Sequence, residues 1–305
     1  MIKEVGLYYA DIWPEVKDGP SKVVKNLIAG LTSLGIKVHR NTLLKYTGVL
    51  QTYPLEELKE TALIGPNSFN LPSEYGPSVW ETKRNIVAPS EWIKKRFERD
   101  LEALNRTGES YSELMMGLHG GDLDLKHNHN VYVWPVGIDT DYFTPSIEPP
   151  KIDCLFYYKL SALSTKLRNV LKKLLDDSIT YQEIIYGNYE EEELISVARS
   201  AKYCIMVASS ETQGIAYQEI LSMNIPMYVL DCNTTHHFKP SNPEGVTSAP
   251  YFDDRCGIKH PDLSRFDEFL DRLDEFSPRE YILENLTLKK CASEYLSLLE
   301  KCHAA

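Results

Sequence analysis

Residues 209–219, SSETQGIAYQE, carry two carboxylates, Glu211 and Glu219, with seven residues between them. The apolar run YCIMVA just before them reads as a strand ending near Ser209, and a helix starts at Gln213 or Gly214. The loop therefore lies at the carboxyl end of a strand and the amino end of a helix, where free backbone N–H groups favour anions. Gly214 lets a ligand approach the main chain closely. Glu211 on the loop and Glu219 about a turn and a half into the helix can reach the same extended molecule. Two hydroxyl acceptors flanking an anion site suit a nucleotide-sugar, which offers sugar hydroxyls, a diphosphate and ribose hydroxyls. The plainer alternative has Glu211 favouring the helix dipole and Glu219 on a solvated helix face. A hydrolytic carboxylate pair fits less well, because nothing marks either acid as a proton donor of raised pKa.

These residues need a frame, and the chain is long enough to build one twice. Its 305 residues suit two domains. VGLYY (5–9) reads as a buried strand. A helix over 19–35 follows, with Val23, Val24, Leu27, Ile28, Leu31 and Leu34 on one stripe, Pro20 in its first turn and Gly35 at its exit. Residues 36–44 read as the next strand, giving the β-loop-α-β opening of a doubly wound sheet. TALIGP ends a strand at a turn, and NIVAPSEWIKKRFERDL runs from strand into helix at Pro89-Ser90. Residues 105–130, rich in Gly, Asp, His and Asn, read as an irregular excursion. VYVWPVGIDTDYFTP (131–145) reads as a strand and a turn. Three prolines within 145–151 mark a stiff linker and the domain boundary. Beyond it, strands near 153–158, 181–186, 203–208 and 226–230 alternate with helices 165–176, 190–200 and 214–223, the pattern of a second parallel sheet. A loop of about 30 residues and then terminal helices complete the chain. Two Rossmann-like domains predict a ligand cleft between them, at the carboxyl ends of their strands.

Composition narrows the partners. A net charge of −11, from 44 acids and 33 bases, repels phosphate backbones, so no nucleic acid is expected. The six cysteines form no C-x-x-C pair; Cys154 and Cys204 lie in apolar runs and read as reduced core residues. No apolar run approaches the roughly 18 residues that cross a bilayer, and MIKEVGLYYAD enters a strand without a signal peptide's apolar region. The expectation is a cytoplasmic protein with no transmembrane segment, leaving contact with a membrane surface through a partner open.

SSETQGIAYQEILSMNIPMYVLD resembles the E-x7-E segment of retaining glycosyltransferases with the GT-B fold, particularly family four, with Ser210, Glu211, Gly214, Glu219 and Pro226 in matching places. VYVWPVGIDTDYFTP resembles that superfamily's hinge segment, NIVAPSEWIKKRF the segment ahead of it, and VKDGPSKVVKNLIAGL its first glycine-rich loop and helix. The matches lie in order and span most of the chain. The resemblance implies two Rossmann-like domains facing a central cleft: 1–147, joined by the returning C-terminal helix 286–305, as the acceptor-side domain, and 148–285 as the nucleotide-sugar-binding domain.

It also implies roles. Glu211 would hold the transferred sugar's hydroxyls, the backbone at Gln213, Gly214 and Ile215 would cradle sugar and phosphate, and Glu219 would bind the ribose. Lys159 and Lys166, in YYKLSALSTKLR, would neutralise the leaving diphosphate, with Arg168 as a spare; a solvated basic helix face is the alternative. Gly19 would approach the donor from the first domain, although KDGPSK has one glycine where the family usually has a pair. Such enzymes typically need no divalent metal, and no metal site or cofactor is expected here; the D-x-D spacing in 122–125 falls in the irregular stretch. The family's donor-contacting histidine has no evident counterpart. His39 reads as packed or capping, and His119, His127 and His129 as a polar loop. The expected activity is retaining, metal-independent transfer of a sugar from a nucleoside-diphosphate sugar, such as a UDP- or GDP-sugar, to a glycan, lipid or other hydroxyl acceptor. The alternatives are a non-catalytic protein that binds a nucleotide-sugar or glycan, and a sugar-nucleotide epimerase of similar fold.

Overall fold

The computed structural model describes residues 2–9, 18–50, 61–66, 84–107, 129–159, 165–233 and 245–304. They form two compact units, Met1–Gly137 with Leu288–Ala305, and Ile138–Thr287. Among the described residues no helix is long and apolar enough to cross a membrane.

The first unit is built on a six-stranded sheet of β1 (Glu4–Tyr8), β2 (Lys37–Arg40), β3 (Thr47–Val49), β4 (Leu63–Ile64), β5 (Asn85–Ala88) and β6 (Asn130–Val133). The order is β2-β1-β3-β4-β5-β6, and every pairing is parallel. Helix α1 (Gly19–Ser33) starts where the Asp18 carboxylate accepts from the Ser21 N–H at 2.7 Å, with Pro20 in the first turn. It ends at Gly35, whose φ of +74° is left-handed, where glycine carries no Cβ penalty. Helix α2 (Glu91–Thr107) follows β5 directly. The expected strand over 36–44 is shorter. It stops at Arg40 because Asn41 turns left-handed at φ +48° and its side chain accepts from the Tyr9 N–H at 2.9 Å. The chain then turns into β3, which the sequence reading missed.

The C-terminal helix (Leu288–Ala304) belongs to this first unit. It lies on α1 at Gly30, where a Cβ would come within 2.5 Å of the Leu288 carbonyl oxygen and 2.8 Å of the Ala292 Cβ. The Trp134 indole N–H donates to the Cys291 carbonyl at 2.7 Å, and Tyr295 is fully buried beside Gly48. An apolar stripe at helical spacing thus finds a core.

In the second unit, β7 (Ile152–Tyr158), α3 (Thr165–Asp176), β8 (Tyr181–Ile185), α4 (Glu191–Ser200), β9 (Ala201–Val207), α5 (Ile215–Ser222), β10 (Met227–Leu230) and β11 (Gly257–His260) follow in chain order. α6 (Phe266–Asp271) and α7 (Pro278–Asn285) come after β11. The sheet order is β11-β10-β9-β7-β8, again parallel throughout. β11 lies inside the stretch expected to be loop. It is short and begins at Gly257, whose φ of +134° lets the chain pass 2.1 Å from the Met227 carbonyl oxygen at the position a Cβ would take. None of the six cysteines forms a disulfide, and all but the half-buried Cys232 are buried.

The units part at Gly137, ahead of the proline-rich 145–151. Arg279 donates to the carbonyls of Thr140 (3.1 Å), Phe143 (3.0 Å) and Ser222 (2.6 Å), and the Arg199 Nε donates to the Thr144 carbonyl at 2.9 Å. The two guanidinium groups bind the 140–144 stretch to the second unit before the prolines begin. Ile138 pairs with Thr287, so the chain enters and leaves this unit at adjacent points.

The packing at Gly30 yields a test. Glycine to alanine inside a helix ordinarily adds about 1 kcal/mol of stability. Here the new methyl meets backbone, and overpacking of that kind costs about 1–3 kcal/mol. Gly30→Ala should therefore lower the urea midpoint of unfolding, and an unchanged or raised midpoint would show that the contact gives way freely.

Candidate functional site

The strand order of the second unit's sheet reverses between β7 and β9. In open parallel sheets such a switch point, at the carboxyl ends of the strands, is where ligands bind. The register carries Lys159 and the Glu211 loop to that point: Tyr158 pairs with Val207, and the Lys159 N–H donates to the Val207 carbonyl at 3.0 Å. There the Lys159 ammonium meets the Glu211 carboxylate, with Nζ and Oε1 2.6 Å apart. Tyr186, the residue after β8, lies under the same ammonium with its ring centroid 3.8 Å away, and it is 43% exposed. The Glu211 N–H donates to the Thr247 carbonyl at 3.0 Å, which fixes the loop's main chain.

Glu211 is only 7% exposed. Burial pushes its carboxyl above the usual range, and the neighbouring Lys159 pulls it part of the way back. The site therefore combines a desolvated acid with a partly buried cation, a pairing that persists in low dielectric because each satisfies the other.

Gly214 caps α5 at φ +79°. A Cβ there would lie 2.1 Å from the Tyr217 ring, so conformation and space both call for glycine. The Gln213 carbonyl accepts from the Gln218 side chain at 2.9 Å, and Gln213 and Gln218 are both buried. Ile215 opens the helix. Glu219 is fully buried, which excludes the solvated-face alternative. Its charge adds to burial in raising the Tyr157 and Tyr189 hydroxyls.

Lys166, in the first turn of α3, reaches the end of β10 instead of Glu211. Its ammonium donates to the Leu230 carbonyl at 3.2 Å and to the Asp231 carbonyl. Arg168 is exposed. Gly19 opens α1 in the first unit, with open space where a Cβ would stand. The His39 ring pairs with Glu4 at 3.0 Å across β1 and β2. His119, His127 and the 122–125 segment lie outside the described residues. Tyr186 and Thr247 escaped the sequence reading. The signal for Tyr186 was its place directly after a strand at the same sheet end, whereas Thr247 lies far along the chain with no local pattern.

The raised Glu211 carboxyl has a stability consequence. A buried acid that holds its proton more tightly when folded loses stability as pH rises from the unfolded value through the folded one. Glu211→Gln cannot ionise, so it escapes this loss. Its stability relative to wild type should climb in urea unfolding as pH rises above the ordinary glutamate range of about 4. A difference that does not change with pH would remove Glu211 from the buried, ionising position.

No family model matches the chain, and neither does any curated protein. Among solved structures, the apo form of WaaB, a lipopolysaccharide outer core galactosyltransferase, aligns over 96% of this chain and 99% of its own, at 11% identity and a TM-score of 0.51. A sucrose-phosphate synthase from Thermosynechococcus elongatus aligns over 99% of both chains at 11% identity, with a TM-score of 0.49. Likeness at such identity is likeness of fold. The chain has the GT-B fold, with two parallel-sheet α/β units and a C-terminal helix that returns to the first.

Proposed function

We propose that the chain is a glycosyltransferase of the family-four type, transferring a sugar with retained configuration from a nucleoside-diphosphate sugar to a hydroxyl acceptor, without a divalent metal. The observation that carries this reading is the Lys159–Glu211 pair at the switch point of the second unit's sheet, beside a glycine-capped helix start.

The chemistry follows from those groups. Lys159 stabilises charge growing on the diphosphate as the glycosidic bond breaks. Glu211 accepts hydroxyls of the transferred sugar, and the N–H groups at Gln213, Gly214 and Ile215 face phosphate. The acceptor hydroxyl attacks from the face the diphosphate leaves and passes its proton to the departing phosphate oxygen, so no protein nucleophile is needed. Donor entry exchanges partners: Lys159 passes from Glu211 to phosphate, and Glu211 from Lys159 to sugar hydroxyls. Lys166 joins the diphosphate if its ammonium leaves the carbonyls at the end of β10. Glu219 accepts the ribose hydroxyls.

The reading is tested with a panel of UDP- and GDP-sugars, first by thermal shift and then by nucleotide release with and without acceptor. A ligand at 100 times its dissociation constant adds about 2.7 kcal/mol of stability. Binding without release would favour the non-catalytic binding protein, and a change of the donor sugar without acceptor the epimerase.

Two variants assign the roles. Lys159→Ala should cut turnover by about 10²-fold while donor affinity changes by less than about tenfold, because the diphosphate gains charge in the transition state. Equal losses in both would make Lys159 a binding group alone. Glu219→Ala should weaken UDP or GDP binding by about 10- to 150-fold, the value of roughly 1.5 to 3 kcal/mol for a charge-assisted hydrogen bond. Unchanged affinity for the free nucleotides would take Glu219 out of the site. EDTA should leave wild-type turnover nearly intact, and strong inhibition would hand the work of the cations to a metal.

A further inference from the structure

We propose that Asp231 is a positioning residue that holds Glu211 and Lys166 in one frame; its consequence for catalysis rests on the glycosyltransferase reading above. Asp231 follows β10 directly. Three donors converge on its Oδ1: the Cys232 N–H at 2.9 Å, the Thr247 hydroxyl at 2.7 Å and the Ser248 N–H at 2.6 Å. Bonds to an ionised acceptor are about twice as strong as neutral ones, so a single carboxylate oxygen clamps the 247–248 backbone to the end of β10.

From that clamp the order passes to the site in two ways. The Thr247 carbonyl accepts the Glu211 N–H at 3.0 Å, and the Ser248 hydroxyl donates to the Ala208 carbonyl at 3.1 Å. The 208–211 loop is thereby tied at both ends to the residues that Asp231 holds. The Asp231 main-chain carbonyl also receives the Lys166 ammonium, beside the Leu230 carbonyl. Asp231 itself is fixed by its N–H, which donates to the His260 carbonyl at 2.8 Å on the neighbouring strand. The acid and the second cation lie 45 residues apart in sequence, 211 to 166, and Asp231 is where their supports meet. Its side chain is a clamp for Glu211 and its main chain a rest for Lys166.

The test uses the ligand-free, full-length chain and hydrogen–deuterium exchange of the peptide covering 209–213. Asp231→Ala should speed exchange there by about tenfold or more, as all three bonds of the clamp are lost. Asp231→Asn keeps an acceptor oxygen and should stay within about threefold of wild type. The peptide covering β8 should exchange as in wild type in both. Unchanged exchange at 209–213 in a folded Asp231→Ala overturns the proposal, and so does uniform loosening of the whole second unit, which would make Asp231 a stability residue. If Asp231→Ala fails to fold, Thr247→Val removes one of the three bonds while keeping the Thr247 carbonyl. It should speed exchange at 209–213 by about threefold, and no change overturns the proposal equally.

The catalytic consequence is read separately, as UDP or GDP release from the corresponding sugars. Asp231→Ala should lower the turnover number by about tenfold or more with KM within about threefold, and Asp231→Asn should restore most of the loss. Equal changes in both constants, or no rescue by Asn, overturn positioning as the cause. If wild type neither binds nor turns over any nucleotide-sugar, the glycosyltransferase reading falls, while exchange at 209–213 still decides whether Asp231 orders Glu211.

Discussion

A carboxylate that keeps only 7% of its surface in contact with solvent cannot stay ionised without a partner, and Glu211 has one in Lys159. The pairing is a property of the β7/β9 register. Lys159 lies one residue past the last pair, Tyr158 with Val207, and its own N–H continues the ladder onto Val207. A slip of one residue would turn its side chain to the opposite face of the sheet and break the ion pair. The core strands of the second unit therefore serve the site as much as the fold. β7 and β9 are long, buried on both faces and continuous in hydrogen bonding, which makes a slip costly.

The second acid is held differently. From Ala216 to Ser222 every residue of α5 is buried, and a helix buried all round belongs to a core. The charge of Glu219 reaches Tyr157 and Tyr189, whose hydroxyls are pushed upward chiefly by burial and in part by that charge. The two glutamates thus differ in kind. Glu211 sits on a loop, paired to a cation, at the end of the sheet. Glu219 lies on a helix buried along nearly its whole length. On the proposed reading, the first acid meets a group that changes during reaction and the second a group that stays put.

Much of this was legible in the sequence because it is local. Strands in the second half alternate with helices whose apolar stripes, caps and glycines lie within a few residues, and α3 falls on 165–176 as the periodicity indicates. The place of Gly214 at the helix start was legible for the same reason, while its left-handed conformation, at φ +79°, came from the structure. What escaped depends on distant partners. Arg279 and Arg199 capture the 140–144 carbonyls from far along the chain, so the proline cluster looked like the boundary when the division lies earlier. The burial of Glu219 could not be read from α5 itself, since a charged residue in a short helix ordinarily faces water and only the surrounding sheet and helices enclose it. β3 and β11 are too short for their composition to outweigh the turns around them. The Lys166 contact with the end of β10 required knowing that β10 lies beside β9.

The engagement of both lysines by protein acceptors bears on selectivity. Lys159 is held by Glu211, and Lys166 by two carbonyls. A ligand bearing phosphate alone would draw Lys159 from Glu211 and offer that buried acid no hydroxyl in exchange, and breaking a buried pair costs several kcal/mol. A ligand bearing hydroxyls alone could satisfy Glu211 but would offer Lys159 no anion in return. Only a molecule presenting both at the right separation replaces every bond it breaks. On the proposed reading, discrimination against free phosphate and free sugar therefore arises from the closed ion pair itself, because each partial ligand replaces only one side of it.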